Sequence, residues 1–170
     1  PKTGRTAAVL GGGISSLTAA LDGAGKGYSV TVFRAETGGR DLLPLSPVLT
    51  EDVVREELEW MEKLGVHFLP WDASVTPEGL AGRFDAVYAG LDDPLCRSFP
   101  ELLEREDPVS LETAVPGVFA GGNTPSFIFR AAAGRRGMKS VERFLQGASL
   151  TSSREKEGPY ETRLFTNIEG

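Results

Sequence analysis

The sequence predicts a three-layer α/β fold with a central parallel sheet, and three observations lead to it. A short apolar run at residues 5–10 is followed at once by glycines 11–13, as expected of a buried parallel strand and its turn. Residues 14–25 then have apolar side chains at helical spacing, and 28–33 is a second strand, which makes a right-handed crossover unit. A second glycine pair, at 121–122, separates another strand from the last predicted helix.

The middle of the chain continues the alternation of helices and strands. Residues 37–49 contain glycines and prolines and predict a loop. Thr50 is placed to cap a helix over about 51–64, because its hydroxyl can accept an amide hydrogen of the first turn. The buried stripe of that helix is predicted to be Val54, Leu58 and Met61. The following segments predict a third strand at 66–69, a short turn or helix at 76–82 and a fourth strand at 84–89.

The last third of the chain predicts one more strand and one long helix. Residues 92–113 are acidic, contain three prolines and predict irregular structure, and 118–120 is the last core strand. Thr124 and Pro125 favour a helix start, and that helix is expected to end near Leu145.

The domain organisation follows from the same patterns. Residues 1–147 hold every periodic segment and are predicted to form one domain, since a chain of 170 residues can bury one core. Residues 148–170 are polar, have no helical or strand periodicity and are predicted to be a linker or tail.

Composition excludes several function classes. The net charge of −6 without a Lys/Arg cluster argues against sequence-independent binding of nucleic acid. No apolar run is long enough for a membrane span, so we expect a soluble, cytoplasmic chain. Because the sequence starts without Met and has no signal peptide, we expect a fragment of a longer protein.

The rare reactive residues predict no catalytic or metal centre. Cys96 is the single cysteine, so the chain can form neither an internal disulfide nor a cysteine-ligated iron–sulfur cluster. We expect it to be a partly buried small residue. His67 is the single histidine and lies in an apolar run, which favours a structural role over that of a general base.

The first glycine turn has the pattern of a dinucleotide-binding loop. Gly11 allows the tight turn, and Gly13 lets a pyrophosphate approach the backbone, where a Cβ would collide with it. The free amides at the start of the following helix point at that phosphate. Those amides belong to Ile14, Ser15 and Ser16. Ser16 stands where a third small residue is required, although it is neither Gly nor Ala.

The ribose site departs from the usual pattern and leaves three interpretations open. A carboxylate normally follows the second strand and binds the ribose hydroxyls, but this position is Arg34, with Glu36 two residues later. Glu36 could reach the ribose. Arg34 could stack on adenine or bind a 2′-phosphate, which would favour NADP. The site could also have lost affinity.

The run from Gly11 to Arg40 resembles the FAD domain of the glutamate synthase small-subunit family, which is related to the pyridine nucleotide–disulfide oxidoreductases. Gly38 and Gly39 match the glycine pair of that family, although the spacing is about two residues shorter. Arg40 completes a Gly-Gly-Arg sequence like that of amine-oxidase-like flavoproteins. The resemblance implies a Rossmann-like FAD-binding domain with Gly39 and Arg40 beside the pyrophosphate and flavin.

The resemblance extends over most of residues 5–147. Val75 matches a position whose backbone faces the adenine. The strand that ends at Gly90 resembles the family's Ala-Thr-Gly strand, with Ala89 in place of Thr. The segment ending in Gly122 and Asn123 matches the second FAD signature, which normally ends in Gly-Asp. Its aspartate accepts a ribityl hydroxyl, and the amide oxygen of Asn123 can do the same without the charge.

The family's NAD(P)H domain is expected to be absent between about 91 and 114. Gly90 and Gly117 are separated by 26 residues, whereas one crossover unit needs about thirty. Intrinsic reduction by NAD(P)H is therefore not expected. Residues 160–170 resemble the linker that leads to ferredoxin-like iron–sulfur modules in multidomain relatives.

The resemblance implies an FAD-binding oxidoreductase module, part of a flavin-dependent oxidoreductase, that relays electrons between partner domains or subunits. Its partners would be iron–sulfur or NAD(P)H-binding domains, and the protein would supply no catalytic acid or base and no metal ligand. One alternative is a degenerate nucleotide fold with a structural or assembly role. Four altered positions favour it: Ser16, Arg34, Ala89 and Asn123. A second alternative is an NADP-binding module that uses Arg34.

Overall fold

The structure is a computed structural model, and it describes residues 3–35, 50–104, 107–152 and 154. Three predicted site residues, Glu36, Gly39 and Arg40, lie outside the described residues, as does the linker-like segment 160–170.

Strands and helices alternate along the described residues. The strands are Thr6–Leu10 (β1), Ser29–Arg34 (β2), His67–Pro70 (β3), Ala86–Gly90 (β4) and Val118–Gly121 (β5). The helices are Ile14–Gly25 (α1), Glu51–Lys63 (α2), Pro77–Ala81 (α3), Pro94–Arg97 (α4), Pro100–Leu103 (α5) and Phe127–Gln146 (α6).

The five strands form one parallel sheet in the order β3-β2-β1-β4-β5. The chain runs outward from β1 to β3 and then returns to place β4 on the other side of β1. This reversal creates a crevice at the carboxyl ends of β1 and β4, the place where open α/β sheets bind their ligands. The sheet order therefore places the loops after β1, β4 and β5 side by side.

Both faces of the sheet are covered, which confirms the predicted three-layer α/β class. One core cluster joins alternate sheet residues such as Val9 and Phe119 to Met138 of α6 and Met61 of α2. The other contains the intervening sheet residues and the side chains of the short helices α3, α4 and α5. Strands β1, β2, β4 and β5 therefore contribute to both layers, as expected of parallel strands buried on both sides, whereas the edge strand β3 contributes Phe68 to the first cluster.

Helices α1 and α6 pack on the same face at very short distance. A Cβ on Gly134 would overlap the carbonyl oxygen of Ser15, and a Cβ on Gly137 would overlap the ring of Tyr88 in β4. Glycine at these two positions allows α6 to lie directly on α1 and on the sheet. The N-terminal ends of α1 and α6 are consequently neighbours at the carboxyl edge.

Several predicted elements are confirmed and two are wrong. Thr50 caps α2 by accepting the amide hydrogen of Val53, as predicted. Residues 92–113 are not all irregular, because they contain α4 and α5. The last helix starts later than predicted, since Ser126 rather than Thr124 accepts the capping amide, that of Phe129 at 3.3 Å.

The first residues of the predicted tail contact α6. Arg154 is fully buried, and its guanidinium donates to the Ser140 hydroxyl at 2.6 Å and to the Leu150 carbonyl at 2.9 Å. Arg143 donates to the carbonyl oxygens of Ser149 and Ser152. The described residues 149–152 and 154 are thus tied to the C-terminal half of the last helix.

Candidate functional site

The glycine turn after β1 has the geometry of a phosphate-binding loop. Gly11 adopts a φ of 106°, which favours glycine, and its amide donates to the carbonyl of Phe33 at 2.8 Å. Gly13 is the N-cap of α1 and provides no side-chain cap. The amides of the first turn therefore have no capping side chain of their own, which is the arrangement that binds anions.

Ser16 holds the start of α1 against the sheet. Its side chain is fully buried, and its hydroxyl donates to the carbonyl of Leu10 at 2.8 Å. A serine therefore fits the position where a third glycine or alanine was expected, because its polar atom has a backbone partner.

Two aspartates of the loop after β4 accept amide hydrogens from the glycine turn and from the start of α1, where Ser15 is a predicted phosphate donor. The amide of Ser15 donates to Asp92 Oδ2 at 3.1 Å, and the Ser15 hydroxyl donates to Asp92 Oδ1 at 2.6 Å. The amide of Gly12 donates to Asp93 Oδ2 at 3.0 Å. Carboxylate oxygens thus occupy the end of α1 in the way that phosphate oxygens would.

The loop that carries these aspartates is firmly anchored. The Leu91 amide donates to the Gly121 carbonyl at 2.7 Å, and Arg97 donates back to the Leu91 carbonyl at the same distance. Asp93 is 8% exposed and also caps α4, since its Oδ1 accepts from the Leu95 amide at 2.9 Å. Asp93 is consequently a fixed part of the loop.

Cys96 lies beneath this loop and is fully buried, more so than predicted. Its thiol donates to the carbonyl of Leu10 at 3.4 Å. Burial, followed by the charges of Asp93 and Asp92, raises the pKa of the thiol well above its usual value. At neutral pH the side chain is therefore a neutral thiol with a structural role, in agreement with the sequence prediction.

Three glycines, at the start of α1, at the end of β4 and after β5, lie around the side chains of Ser15, Ser16 and Asp92. A Cβ on Gly13 would overlap Asp92 Oδ2, and one on Gly90 or Gly122 would lie 2.9 or 3.3 Å from Asp92 Oδ1. These glycines mark a path along the carboxyl edge from β1 across β4 to β5, here called the trough, and in this structure the side chains of Ser15, Ser16 and Asp92 fill it. Asp92 lies within this trough, with the fully buried Ser15 side chain beside it.

The other end of the trough is formed by the loop after β5. Gly122 is buried and Asn123 is exposed, directly before the N-terminal end of α6. The Gly122 carbonyl accepts the amide hydrogen of Thr124 at 2.9 Å, and the Thr124 carbonyl accepts from Arg130 of α6. The loop is therefore held to the helix while the Asn123 side chain is accessible.

The residues predicted to bind the adenosine part of the cofactor lie beyond β2, one strand away from the glycine turn. The Arg34 guanidinium lies 5.9 Å from the centre of the Phe68 ring. Val75 is buried, and both of its backbone polar groups have partners. Its amide donates to the Asp72 carbonyl and its carbonyl accepts from the Trp71 indole, each at 3.1 Å. The Val75 backbone that was predicted to face adenine is thus bonded within the protein.

An apolar cavity of about 250 Å³ lies between α1, α2 and α6. Ile14, a predicted cofactor residue, lines it together with Leu17, Met61 and Phe127. Its position shows that the Ile14 side chain faces the helical layer, so its backbone is the part that lies at the trough.

The sequence predicted most residues of the candidate site but not its two aspartates, Asp92 and Asp93. The structure brings together six predicted residues: Gly11, Gly13, Ser15, Ser16, Gly90 and Gly122. Asp92 and Asp93 were assigned to an irregular acidic segment. The available signal was their position directly after the fourth strand, because the carboxyl ends of neighbouring parallel strands meet at one edge.

The described residues contain neither a metal-ligand cluster nor a membrane-spanning helix. His67 is exposed on β3, and no group of three or more potential metal ligands occurs in the part of the chain that the structure describes. None of the described helices is both long and apolar enough to cross a membrane.

No family model matches the sequence. Among curated proteins, the chain is 30% identical over 163 residues to the NADP(+)-dependent formate dehydrogenase subunit beta of Moorella thermoacetica. The match covers 82% of this chain and 23% of that protein, so the chain spans less than a quarter of its relative.

Two solved structures align with most of the chain. The thioredoxin reductase of Lactococcus lactis, in its FR conformation, aligns with a TM-score of 0.51 and 10% identity over 84% of this chain and 99% of that one. THI4 of Thermovibrio ammonificans aligns with a TM-score of 0.46 and 16% identity over 85% and 90% of the two chains. The first likeness, together with the sheet order, places the chain in the Rossmann-like fold class of FAD-binding domains.

Proposed function

We propose that the chain is an FAD-binding oxidoreductase module that relays electrons between partner domains or subunits. The observation that carries the proposal is the glycine-lined trough between the N-terminal ends of α1 and α6. An extended dinucleotide needs such a path, because side chains at Gly13, Gly90 or Gly122 would stand in its way. The positive ends of two helices favour the negative charge of a pyrophosphate and of a reduced flavin.

The described residues divide the proposed cofactor between them. The turn at Gly11 and Gly13 and the amides of Ile14, Ser15 and Ser16 would hold the pyrophosphate. Gly90 would lie beneath it, and Gly122 and Asn123 would hold the ribityl chain. Arg34 or Glu36 would take the ribose, Val75 would lie near the adenine, and Gly39 and Arg40 would line the pyrophosphate and flavin. FAD supplies the electron-transfer chemistry, so no acid or base of the chain is required.

The partner modules are proposed from the relative and from the sequence. The curated relative is named as a subunit of an NADP(+)-dependent formate dehydrogenase and is more than four times as long as the matched part of this chain. A similar role here would place the electron donor and acceptor on iron–sulfur or NAD(P)H-binding modules in the cytoplasm. We also propose that the chain is related to the FAD domain of the glutamate synthase small-subunit family.

A second candidate, a nucleotide fold kept for assembly, is favoured by one specific observation. The amides of Gly12 and Ser15 and both backbone groups of Val75 already have partners within the chain. A domain whose donors are satisfied internally can be stable without any ligand.

Fluorescence titration of FAD with the purified chain separates the two candidates. We expect FAD to bind and FMN, which lacks the adenylate and the pyrophosphate, to bind at least about tenfold more weakly. Asn123→Ala is expected to weaken FAD binding about fivefold, the value of one hydrogen bond. The matched control is Gln146→Ala, an exposed amide at the opposite end of α6.

The same titration also identifies the other outcomes. Failure of FAD to bind at any concentration would leave the assembly role. Tighter binding of NADPH than of FAD, lost in Arg34→Glu, would indicate the NADP-binding module instead.

A further inference from the structure

We propose that Asp92 is an internal competitor of the cofactor pyrophosphate, so that the flavin binds only when this side chain leaves the trough. The inference rests on the proposed function. It states that Asp92, a residue outside the two glycine motifs, sets the affinity of the site for FAD.

The chemistry of the contact is that of an anion at a helix end. Asp92 places one carboxylate oxygen on the Ser15 amide, at 3.1 Å, and the other on the Ser15 hydroxyl, at 2.6 Å. A pyrophosphate oxygen would need the same amide and would carry the same sign of charge. The two anions cannot share one donor, because each requires the amide hydrogen and they repel each other at contact distance.

The position of Asp92 makes the competition complete. Its carboxylate lies against Gly13 on one side and within 3.3 Å of the Cβ position of Gly122 on the other. A cofactor that runs from the first glycine turn to the second must cross this point. Displacement of Asp92 is therefore required for the extended cofactor as well as for its phosphates.

Asp92 is able to move, whereas its neighbour Asp93 is not. Asp92 is half-buried, and both hydrogen bonds described for its side chain go to Ser15. Asp93 is buried and joins Gly12 to the start of α4. A rotation of the Asp92 side chain toward solvent would thus open the trough and leave the loop in place.

A matched carboxylate exists at the opposite end of the same strand. Asp85 Oδ2 accepts from the Thr6 amide at 2.8 Å and from the Thr6 hydroxyl at 3.2 Å. It makes the same pair of contacts, to a backbone amide and a hydroxyl of one residue, but at the amino edge of the sheet. Asp85→Asn is consequently the control for Asp92→Asn.

The test compares the FAD dissociation constants of four proteins: the wild-type chain, Asp92→Asn, Asp92→Ala and Asp85→Asn. We expect Asp92→Ala to bind FAD at least about tenfold more tightly than the wild type, since it removes both the charge and the blocking atoms. Asp92→Asn is expected to gain about threefold, because the amide still fills the space. Asp85→Asn should match the wild type, and circular dichroism verifies that each variant is folded.

Thermal stabilisation by inorganic pyrophosphate is a second measurement. It distinguishes a failure of the competition by Asp92 from a failure of the proposed FAD binding. Equal FAD affinity in the wild type and Asp92→Ala would overturn the competition and leave the flavin function standing. Should no protein bind FAD, stabilisation of Asp92→Ala but not of the wild type by pyrophosphate would still support competition at the helix end. Absence of both effects would overturn it.

Discussion

The two ends of β4 each carry an aspartate that bonds one residue of a neighbouring element. At the amino end Asp85 bonds the amide and hydroxyl of Thr6 in β1, and at the carboxyl end Asp92 bonds the amide and hydroxyl of Ser15 in α1. The partners are chemically alike, but their surroundings differ. Glycines and the N-terminal end of α1 surround Asp92, whereas Asp85 joins two strands at an exposed edge.

The difference shows how one interaction can have two purposes. At the amino edge the carboxylate completes the hydrogen bonds of a strand start, so its role is fully structural. At the carboxyl edge the same contact satisfies donors that a ligand could use, in a space lined by glycines. The glycines and helix ends around a hydrogen bond, rather than the bond itself, distinguish a ligand site from a structural contact.

We expect the largest loss of stability from a substitution that forces α1 and α6 apart, since the start of α1 lies at the carboxyl edge. Gly134→Ala would push α6 away from the Ser15 carbonyl, and such overpacking costs about 2–3 kcal/mol of unfolding free energy. A Cβ on Gly25, at the end of α1, meets nothing within 4 Å, so Gly25→Ala should instead stabilise by about 0.5 kcal/mol. Urea unfolding measures both; equal effects of the two substitutions would contradict the close packing.

We expect a smaller difference in stability between substitutions of Asp93 and Asp92, the two aspartates of the loop after β4. Asp93→Ala removes the acceptor of two amides, those of Gly12 and Leu95, and is expected to cost about 2 kcal/mol. Asp92→Ala removes the acceptor of the Ser15 amide and hydroxyl, but Asp92 is half-buried and water can enter the space it leaves, so we expect a cost of about 1 kcal/mol. Thermal unfolding of both variants provides the measurement. A greater loss from Asp92→Ala would contradict the assignment of Asp92 as the mobile group.

The pH dependence of stability should distinguish the two edges at alkaline pH. Burial raises the pKa of Cys96 beneath the carboxyl-edge loop, and burial followed by Glu142 raises the pKa of Tyr28 just before β2. Each group is protonated more tightly in the folded state. Its stabilisation is therefore complete below the pKa of the unfolded chain, about 8.5 for Cys and 10 for Tyr, and is lost as pH rises beyond it.

The measurement is the free energy of unfolding as a function of pH for Cys96→Ala, Tyr28→Phe and the wild type. Cys96→Ala should flatten the first part of the alkaline decline, and Tyr28→Phe the later part. A wild-type stability that rises between pH 8 and 10 would oppose the sign derived from both shifts.

The order of elements followed from the sequence because each element has a local signal. Helix α1 was predicted with its observed ends, since apolar spacing and glycines mark both of them. The start of α6 was placed two residues early, because Thr124 and Ser126 are equally good caps and tertiary packing decides between them. The chain order of the strands was clear, whereas their order in the sheet required the structure.

The candidate site was predictable where glycine is obligatory and unpredictable where a side chain crosses between loops. Gly13 and Gly122 stand out in the sequence because glycine allows close approach. The contact between Ser15 and Asp92 joins residues 77 positions apart, and no local pattern indicates it. The small side chain of Ser16 was noted as a departure, but its bond to Leu10 depends on the packing of α1 against β1.

The most direct test of the account is the amide spectrum of the isotope-labelled chain during a titration with FAD. If FAD binds at the carboxyl edge, the resonances of Gly12, Ser15 and Gly122 will shift together and saturate, whereas those of Thr6 and Asp85 will stay unchanged. Shifts of equal size at the amino edge, or no change at Ser15 when the flavin is bound, would contradict a cofactor site at the carboxyl edge.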